Sequence, residues 1–158
     1  MIAVSGFGIM HAMDMKQKPR ELHAMTDAMS LLYNDITARS LTLPDALAHV
    51  GGMSSGCARS FFTSVSYKLE RSKQLFQSVW EEETAQLGIF GKEEREIVRQ
   101  LGMHLGQFDA ASQGRAIDTC INGLRLAEKR ALADAQQYSR LYTGLGLTLG
   151  AMLAIILY

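Results

Sequence analysis

Residues 141–158 read LYTGLGLTLGAMLAIILY, a run of 18 residues without a charged side chain. A helix of this length rises about 27 Å, which is close to the hydrocarbon thickness of a bilayer. A core helix of a small soluble domain usually has polar residues along one side, whereas this run offers only Thr143 and Thr148 for such a side. The run therefore predicts a C-terminal transmembrane helix, with burial in a soluble core as the alternative.

The first residues, 1–13, form a second uncharged run, MIAVSGFGIMHAM. As a helix it rises only about 20 Å, which is short for a span. A secretory signal peptide carries its basic residues before the apolar stretch, but here Lys16, Lys18 and Arg20 come after it. We interpret residues 1–13 as a membrane segment with a shortened front end.

Between the two runs lies a segment with the composition of a soluble domain. All 32 charged residues, 16 basic and 16 acidic, fall within residues 14–140, so about 25% of these 127 positions are charged. The formal net charge of zero argues against a general nucleic-acid surface. Cys57 and Cys120 form no CxxC pair and join no cysteine–histidine cluster, so neither a disulfide framework nor a zinc site is expected.

Basic residues beside the two runs predict the orientation of the chain. Cytoplasmic flanks of membrane helices retain lysine and arginine, and both flanks here are basic. Residues 14–140 are therefore expected to form a cytoplasmic domain. The residues counted are Lys16, Lys18 and Arg20 after the first run, and Arg125, Lys129, Arg130 and Arg140 before the last.

Apolar residues of the middle segment recur every three or four positions, which is typical of helices, and hardly alternate as they would on strands. The fold class is therefore predicted to be all-α, a bundle of about six helices. The first stripe contains Leu22, Met25, Met29, Leu32 and Ile36. The expected helices are residues 20–39, one capped by Thr42 that ends near 51–52, one that ends near 71, one capped by Ser72, one that ends at Gly106, and one capped by Asp109.

Several residues of the middle segment have structural interpretations. Pro44 suits the first turn of the second helix, and Trp80 is expected to anchor the core. Gly106 ends one helix, and Asp109 starts the next. Gln113 follows one turn later, and either satisfies backbone groups of the preceding loop or contacts a partner.

The last helix is expected to continue into the membrane, because no glycine or proline interrupts the chain between Gly123 and Gly144. Within the apolar run, Gly146, Gly150 and Ala154 recur every four residues and would line one helix face with small side chains. Gly8 and Ala12 repeat this spacing in the first run. The corresponding hypothesis is that the two ends, or two copies of the chain, pair through these faces. The alternative is that these glycines have no pairing role, because glycine is common in membrane helices.

Motifs for catalysis, cofactors or metals are missing from the sequence. The four histidines are scattered, no HExxH or Walker A pattern occurs, and no serine has the setting of a nucleophile elbow, in which GxSxG follows a strand. No catalytic, cofactor-binding or metal-binding residue is therefore expected. Glu81, Glu82 and Glu83 span about 200° of a helix circumference, so at least one must face water. They predict a solvated acidic face or a patch for a basic partner.

The order and spacing of several short segments resemble the stage III sporulation protein AB family over nearly the whole chain. No segment is specific alone, but their order and spacing together are specific. The family usually begins with a full membrane helix, and this chain departs from that pattern in its short first run of 13 residues. The segments are Lys18-Pro19-Arg20-Glu21-Leu22, Leu41-Thr42-Leu43-Pro44-Asp45-Ala46-Leu47, Phe61-Phe62, Val79-Trp80, Leu105-Gly106 with Asp109 and Gln113, and the glycine-rich C-terminus.

This resemblance implies a non-enzymatic subunit of the secretion-like channel between mother cell and forespore. It implies a place in the mother-cell membrane around the forespore, beside a secretion-type ATPase of the same operon and other stage III sporulation membrane subunits. The helical domain would be similar to the cytoplasmic domains of inner-membrane platform proteins of type II secretion and type IV pilus systems. The residues we consider for partner binding are Arg20, Glu21, Glu81, Glu82, Glu83 and Gln113.

Two other hypotheses stay open at this level. A soluble helical bundle that binds a ligand or catalyses a reaction would pack its apolar ends into its own core. A tail-anchored adaptor without an ATPase partner would share the membrane anchor but bind another protein.

Overall fold

The computed structural model describes the backbone of residues 2–106 and 109–157, and the side chains of residues 16–106, 109–141 and 143–157. Within these ranges the chain forms six helices and no strand, which confirms the all-α prediction. The helices are α1 (Ile2–Thr37), α2 (Leu43–Met53), α3 (Gly56–Arg71), α4 (Phe76–Ala85), α5 (Lys92–Gly102) and α6 (Ala110–Leu157).

The two long helices, α1 and α6, form an antiparallel pair that organises the domain. His23 lies opposite Glu128, with 3.1 Å between the imidazole Nδ1 and the carboxylate, and Thr37 lies against Gly114. Helices α2, α3, α4 and α5 follow as a series in which each packs on the next, and α5 returns to α6. The pair thus connects the far end of the domain to the two apolar runs.

The core lies between these helices and contains the stripe expected on α1. Leu22, Met25, Met29, Leu32 and Ile36 are all buried. Trp80 is fully buried, as expected, and its ring stacks edge-on to Phe61 with 4.8 Å between centroids. Its indole N–H donates to the Val98 carbonyl over 2.7 Å, which ties α4 to α5.

Three helix boundaries differ from the sequence-based expectations. Helix α1 begins at Ile2 rather than near Arg20 and includes Pro19, which has no N–H to donate to the preceding turn. Ser72 does not cap α4; it ends α3, where its hydroxyl donates to the Lys68 carbonyl over 2.6 Å. Helix α5 ends at Gly102, and a turn carries the chain to Gly106.

The start of α2 agrees with the prediction. Thr42 is the N-cap residue, its hydroxyl accepts a hydrogen bond from the Asp45 N–H, and Pro44 lies in the first turn. At the end of α1, a carboxylate that the sequence did not single out joins α1 to α2. Asp35 is fully buried and lies 2.6 Å from His49 Nδ1 and 3.0 Å from the Arg39 guanidinium.

Candidate docking surface and membrane anchor

Helix α6 extends without a break from the domain core into the apolar run, as the sequence predicted. Its first part packs in the core, whereas the large apolar side chains at 141–157 are between 54% and 84% exposed, apart from Tyr142, which lies outside the described side chains. By length and composition, α6 is the one helix among the described residues that could cross a membrane, and none of its apolar window is buried. The buried apolar side chains of the first part are Ile117, Cys120, Ile121, Leu124 and Ala127.

The small-residue face in the apolar run is open. Gly146, Gly150 and Ala154 are all exposed, and a Cβ atom built on either glycine meets no atom within 4 Å. Nothing in the described chain covers this face, so pairing through it remains a prediction. Gly8 and Ala12, the matching residues of the first run, lie outside the described side chains.

The acidic run on α4 does not form one free patch. Glu83 is buried and pairs with the Lys68 ammonium at 2.6 Å, and Glu82 pairs with the same ammonium at 3.0 Å. These hydrogen bonds raise the pKa of Lys68. Glu81 pairs with Arg99 at 3.1 Å. Glu81 and Glu82 face water, in agreement with the expectation that at least one of the three would, but all three are engaged in ion pairs within the domain.

Arg20 and Glu21 are neighbours in the sequence but differ in their contacts. Arg20 is exposed, but Glu21 turns toward α3, where its carboxylate accepts the Cys57 N–H over 2.7 Å. Gly56 has a φ of +59°, and a Cβ there would lie 2.5 Å from the same carboxylate. Burial, together with Glu21, raises the pKa of the Cys57 thiol. Glu21 therefore caps the start of α3, a structural role that local sequence could not indicate because the two residues are 36 positions apart.

Gln113 satisfies the backbone of the loop before α6. Its side-chain oxygen accepts the N–H of Gly106 over 3.2 Å, and Gly106 has a φ of +81°, a conformation that glycine adopts without strain. Asp109 precedes the first residue of α6, and hydrogen bonds from Ser112 lower the pKa of its carboxyl group. The structure contains the contact that the structural interpretation of Gln113 requires, while its contact with a partner stays a prediction, and Asp109 lies directly before α6.

Two surface grooves accompany these residues. One, of about 520 Å³, lies between α1, α3 and the end of α4 and contains the carboxylates of Glu21 and Glu83. The other, of about 450 Å³, lies between α5 and α6 and contains Arg115. Neither was apparent from the sequence, because each depends on how helices distant in the chain are spaced.

Metal ligands do not assemble in the described part of the chain, where no group of three or more histidine, cysteine, aspartate or glutamate side chains is arranged to hold an ion. His23 instead contacts Asp27 and Glu128, and His49 contacts Asp35. Burial raises the pKa of Cys120 to about 12, so this thiol is not a ready nucleophile at neutral pH.

Comparison with known proteins agrees with this architecture. A family model described as "Stage III sporulation protein AB (spore_III_AB)" matches residues 1–158. Stage III sporulation protein AB of Bacillus subtilis (strain 168) is 21% identical over 160 residues, covering 99% of this chain and 94% of the relative. A solved structure of a stage III sporulation protein AB has the same fold, with a TM-score of 0.62 at 23% identity, covering 77% of this chain and 94% of the solved one.

The matching family is named for a stage of sporulation and not for an enzymatic activity. The family model spans the entire sequence, including both apolar runs. The chain therefore belongs to the stage III sporulation protein AB family.

Proposed function

We propose that this chain is a membrane-anchored, non-enzymatic subunit of the secretion-like channel between mother cell and forespore, and that it docks a secretion-type ATPase. The observation that carries the proposal is the continuity of α6. One helix begins inside the domain core and ends in a run of exposed apolar side chains. Membership of a sporulation family supplies the cellular setting.

The exposed run favours a membrane anchor over the soluble alternative. A soluble monomer rarely exposes a contiguous apolar surface of this extent, since each Å² left in water costs about 25 cal/mol. The soluble bundle requires the C-terminal run to pack in the core, but the described side chains there are exposed. Threonine hydroxyls do not disturb this run, because Thr143 and Thr148 donate to carbonyls of their own helix over 2.8 and 3.1 Å.

The mechanism in this proposal is geometric. The core end of α6 is fixed by Leu124, and the apolar run begins at Leu141, 17 residues later, which is about 26 Å along a straight helix. Glycine and proline are absent between these positions, so the connection is stiff. A protein bound to the domain would be held at a set distance from the bilayer. The basic flanks favour the mother-cell cytoplasm as the side that holds the domain.

Carbonate extraction tests the anchor. Membranes from sporulating cells that make the full chain are washed at alkaline pH, and a variant that ends at Arg140 serves as the control. The full chain should remain in the pellet, and the shortened chain should move toward the soluble fraction. Release of the full chain by carbonate would refute membrane anchoring.

A binding measurement tests the docking role and separates it from the tail-anchored adaptor. The full chain, purified in mild detergent, is immobilised and exposed to the purified ATPase of the same operon. Saturable binding is expected, with no turnover of ATP by the chain alone. Complete absence of binding would favour the adaptor, and ATP hydrolysis traced to this chain would contradict a non-enzymatic role.

A further inference from the structure

The groove between α5 and α6 is bounded at one end by a contact between the two helices and near the other by the loop before α6. At one end Ile97 packs on Gly123, where an added Cβ would lie 3.2 Å from the isoleucine side chain. Near the other end the Gly106 N–H donates to Gln113. Between these contacts α6 presents small side chains, among them Ala116 and Thr119, which leave the space beside α5 unfilled.

The lining combines an apolar floor with positive charge. Ile97, Leu101 and Ala116 contribute the apolar surface, and Arg115 lies at the rim. No carboxylate belongs to the lining residues that the structure describes, and none of the described residues forms an ion pair with Arg115, whose guanidinium donates to Ser112 Oγ over 2.9 Å. The remaining lining residues are Gln100, His104, Ser112, Thr119, Cys120 and Gly123.

The groove beside α3 differs in the charged groups that line it, because it contains carboxylates. Its two carboxylates are already used inside the domain, Glu21 by the Cys57 N–H and Glu83 by Lys68. Hydrogen bonds from Ser112 and, to a smaller extent, the charge of Arg115 lower the pKa of Asp109, but Asp109 lies just before α6 and does not line the groove. The α5–α6 groove thus has apolar surface and a cation that still lacks a carboxylate ion pair among the described residues.

We infer that the α5–α6 groove is the docking site for an amphipathic segment of the partner ATPase, one that places apolar side chains on the floor and a carboxylate against Arg115. This inference rests on the docking role proposed above. The α6 side of the groove, residues 112–123, rises about 17 Å, which matches about three turns of a bound helix. Complementary charge at such a site fixes the orientation of the bound segment.

The position of the groove fits this role because it lies on the helix that leads to the membrane. Gly123 precedes Leu141 by 18 residues and Ser112 precedes it by 29, so the groove lies about 27 to 44 Å from the start of the apolar run along α6. A segment bound there would be connected to the bilayer through a single stiff helix.

The test measures the equilibrium affinity of the detergent-purified full chain for the purified ATPase. Arg115→Glu reverses the rim charge, and Ala116→Trp fills the floor; each should weaken binding about tenfold or more. Arg59→Glu, a reversal at an exposed arginine on α3, and Ala133→Trp, at an exposed alanine of α6 outside the groove, should bind as the unmodified chain does. Circular dichroism checks that each variant stays folded.

Two results would overturn the inference. If both groove variants bind the ATPase as tightly as the unmodified chain does, the groove is refuted as the docking site, and the docking role stands. If the unmodified chain binds no ATPase, the docking role fails, and the groove is then judged with two matched amphipathic peptides, one with a glutamate-rich and one with a lysine-rich polar face. A preference for the glutamate peptide that Arg115→Glu abolishes supports the chemistry of the groove, and equal binding of both peptides refutes it.

Discussion

The first part of α6 and its last part belong to one helix but have opposite surroundings. Residues 110–127 pack against α1 and α5 and bury one stripe, whereas the described side chains at 141–157 are exposed on all sides. The first part alternates apolar and charged residues at helical spacing, and the last part contains no charge. One backbone conformation thus continues through two surroundings, and the side-chain pattern decides which part packs against protein and which stays exposed.

The largest effect is expected from a substitution that destabilises the packed domain and leaves the apolar run unchanged. Trp80→Ala removes a fully buried indole that stacks on Phe61, and we expect a loss of about 3–5 kcal/mol in the free energy of unfolding. Trp80→Phe keeps most of the volume but loses the hydrogen bond to Val98, so its cost should be smaller. Denaturant unfolding of the full chain in detergent measures both variants, and an unchanged midpoint for Trp80→Ala would contradict the core role.

The second prediction concerns a charge introduced into the apolar run alone. Leu149→Arg places a charge in the middle of the exposed segment, at a cost of about 3 kcal/mol for membrane insertion, so carbonate should release more of the chain. Leu126→Arg is the matched control, because Leu126 is 51% exposed on the same helix but belongs to the domain. Equal release of the two variants would show that the two parts of α6 do not differ as proposed.

Sequence reasoning succeeded where the pattern is local and periodic. The stripe on α1, the Thr42 cap and the uninterrupted α6 follow from spacings of three and four, from one hydroxyl, and from the absence of glycine or proline. It failed at the start of α1. A regular stripe begins only at Leu22, and Pro19 is typical of a first helical turn, although here it lies within α1.

The candidate partner residues were less predictable because their contacts come from distant parts of the chain. Nothing near Glu21 in sequence indicates that it caps α3, and nothing near Glu83 indicates Lys68. Both carboxylates looked like surface charges in the sequence. The α5–α6 groove was missed for the same reason, since small residues on α6 line a groove only once α5 packs beside them.

A third prediction tests how closely α4 packs on α5. A Cβ on Gly102 would overlap the Trp80 ring, so Gly102→Ala should lower the free energy of unfolding by about 1–3 kcal/mol. Gly52→Ala is the opposite case, because a Cβ there meets nothing within 4 Å in α2, and alanine favours a helix by about 1 kcal/mol. Thermal unfolding of the two variants should therefore shift in opposite directions, and a stabilised Gly102→Ala would contradict the close contact.

The smallest expected effect concerns the ion pair where the domain meets the first apolar run. Glu94 lies at the start of α5, with its carboxylate 2.7 Å from the Lys18 ammonium of α1. Burial alone would raise the pKa of Glu94, but hydrogen bonds from Lys18 and from backbone N–H groups outweigh it, and the pKa lies below its ordinary value of 4.5. The pair therefore contributes stability above about pH 4.5 and loses it as the pH falls through the lower, folded-state pKa.

Lys18→Met should remove part of this acid dependence. We expect the unmodified chain to be more stable than the variant by about 1 kcal/mol at pH 7, and this difference should shrink as the pH falls below 4.5. Arg20→Met is the control, since Arg20 is exposed and no described residue forms an ion pair with it. Denaturant unfolding from pH 7 to pH 3.5 measures the difference. A gap between unmodified and Lys18→Met chains that stays constant over this range would mean that Lys18 stabilises the α1–α5 contact through its aliphatic stem and not through its charge.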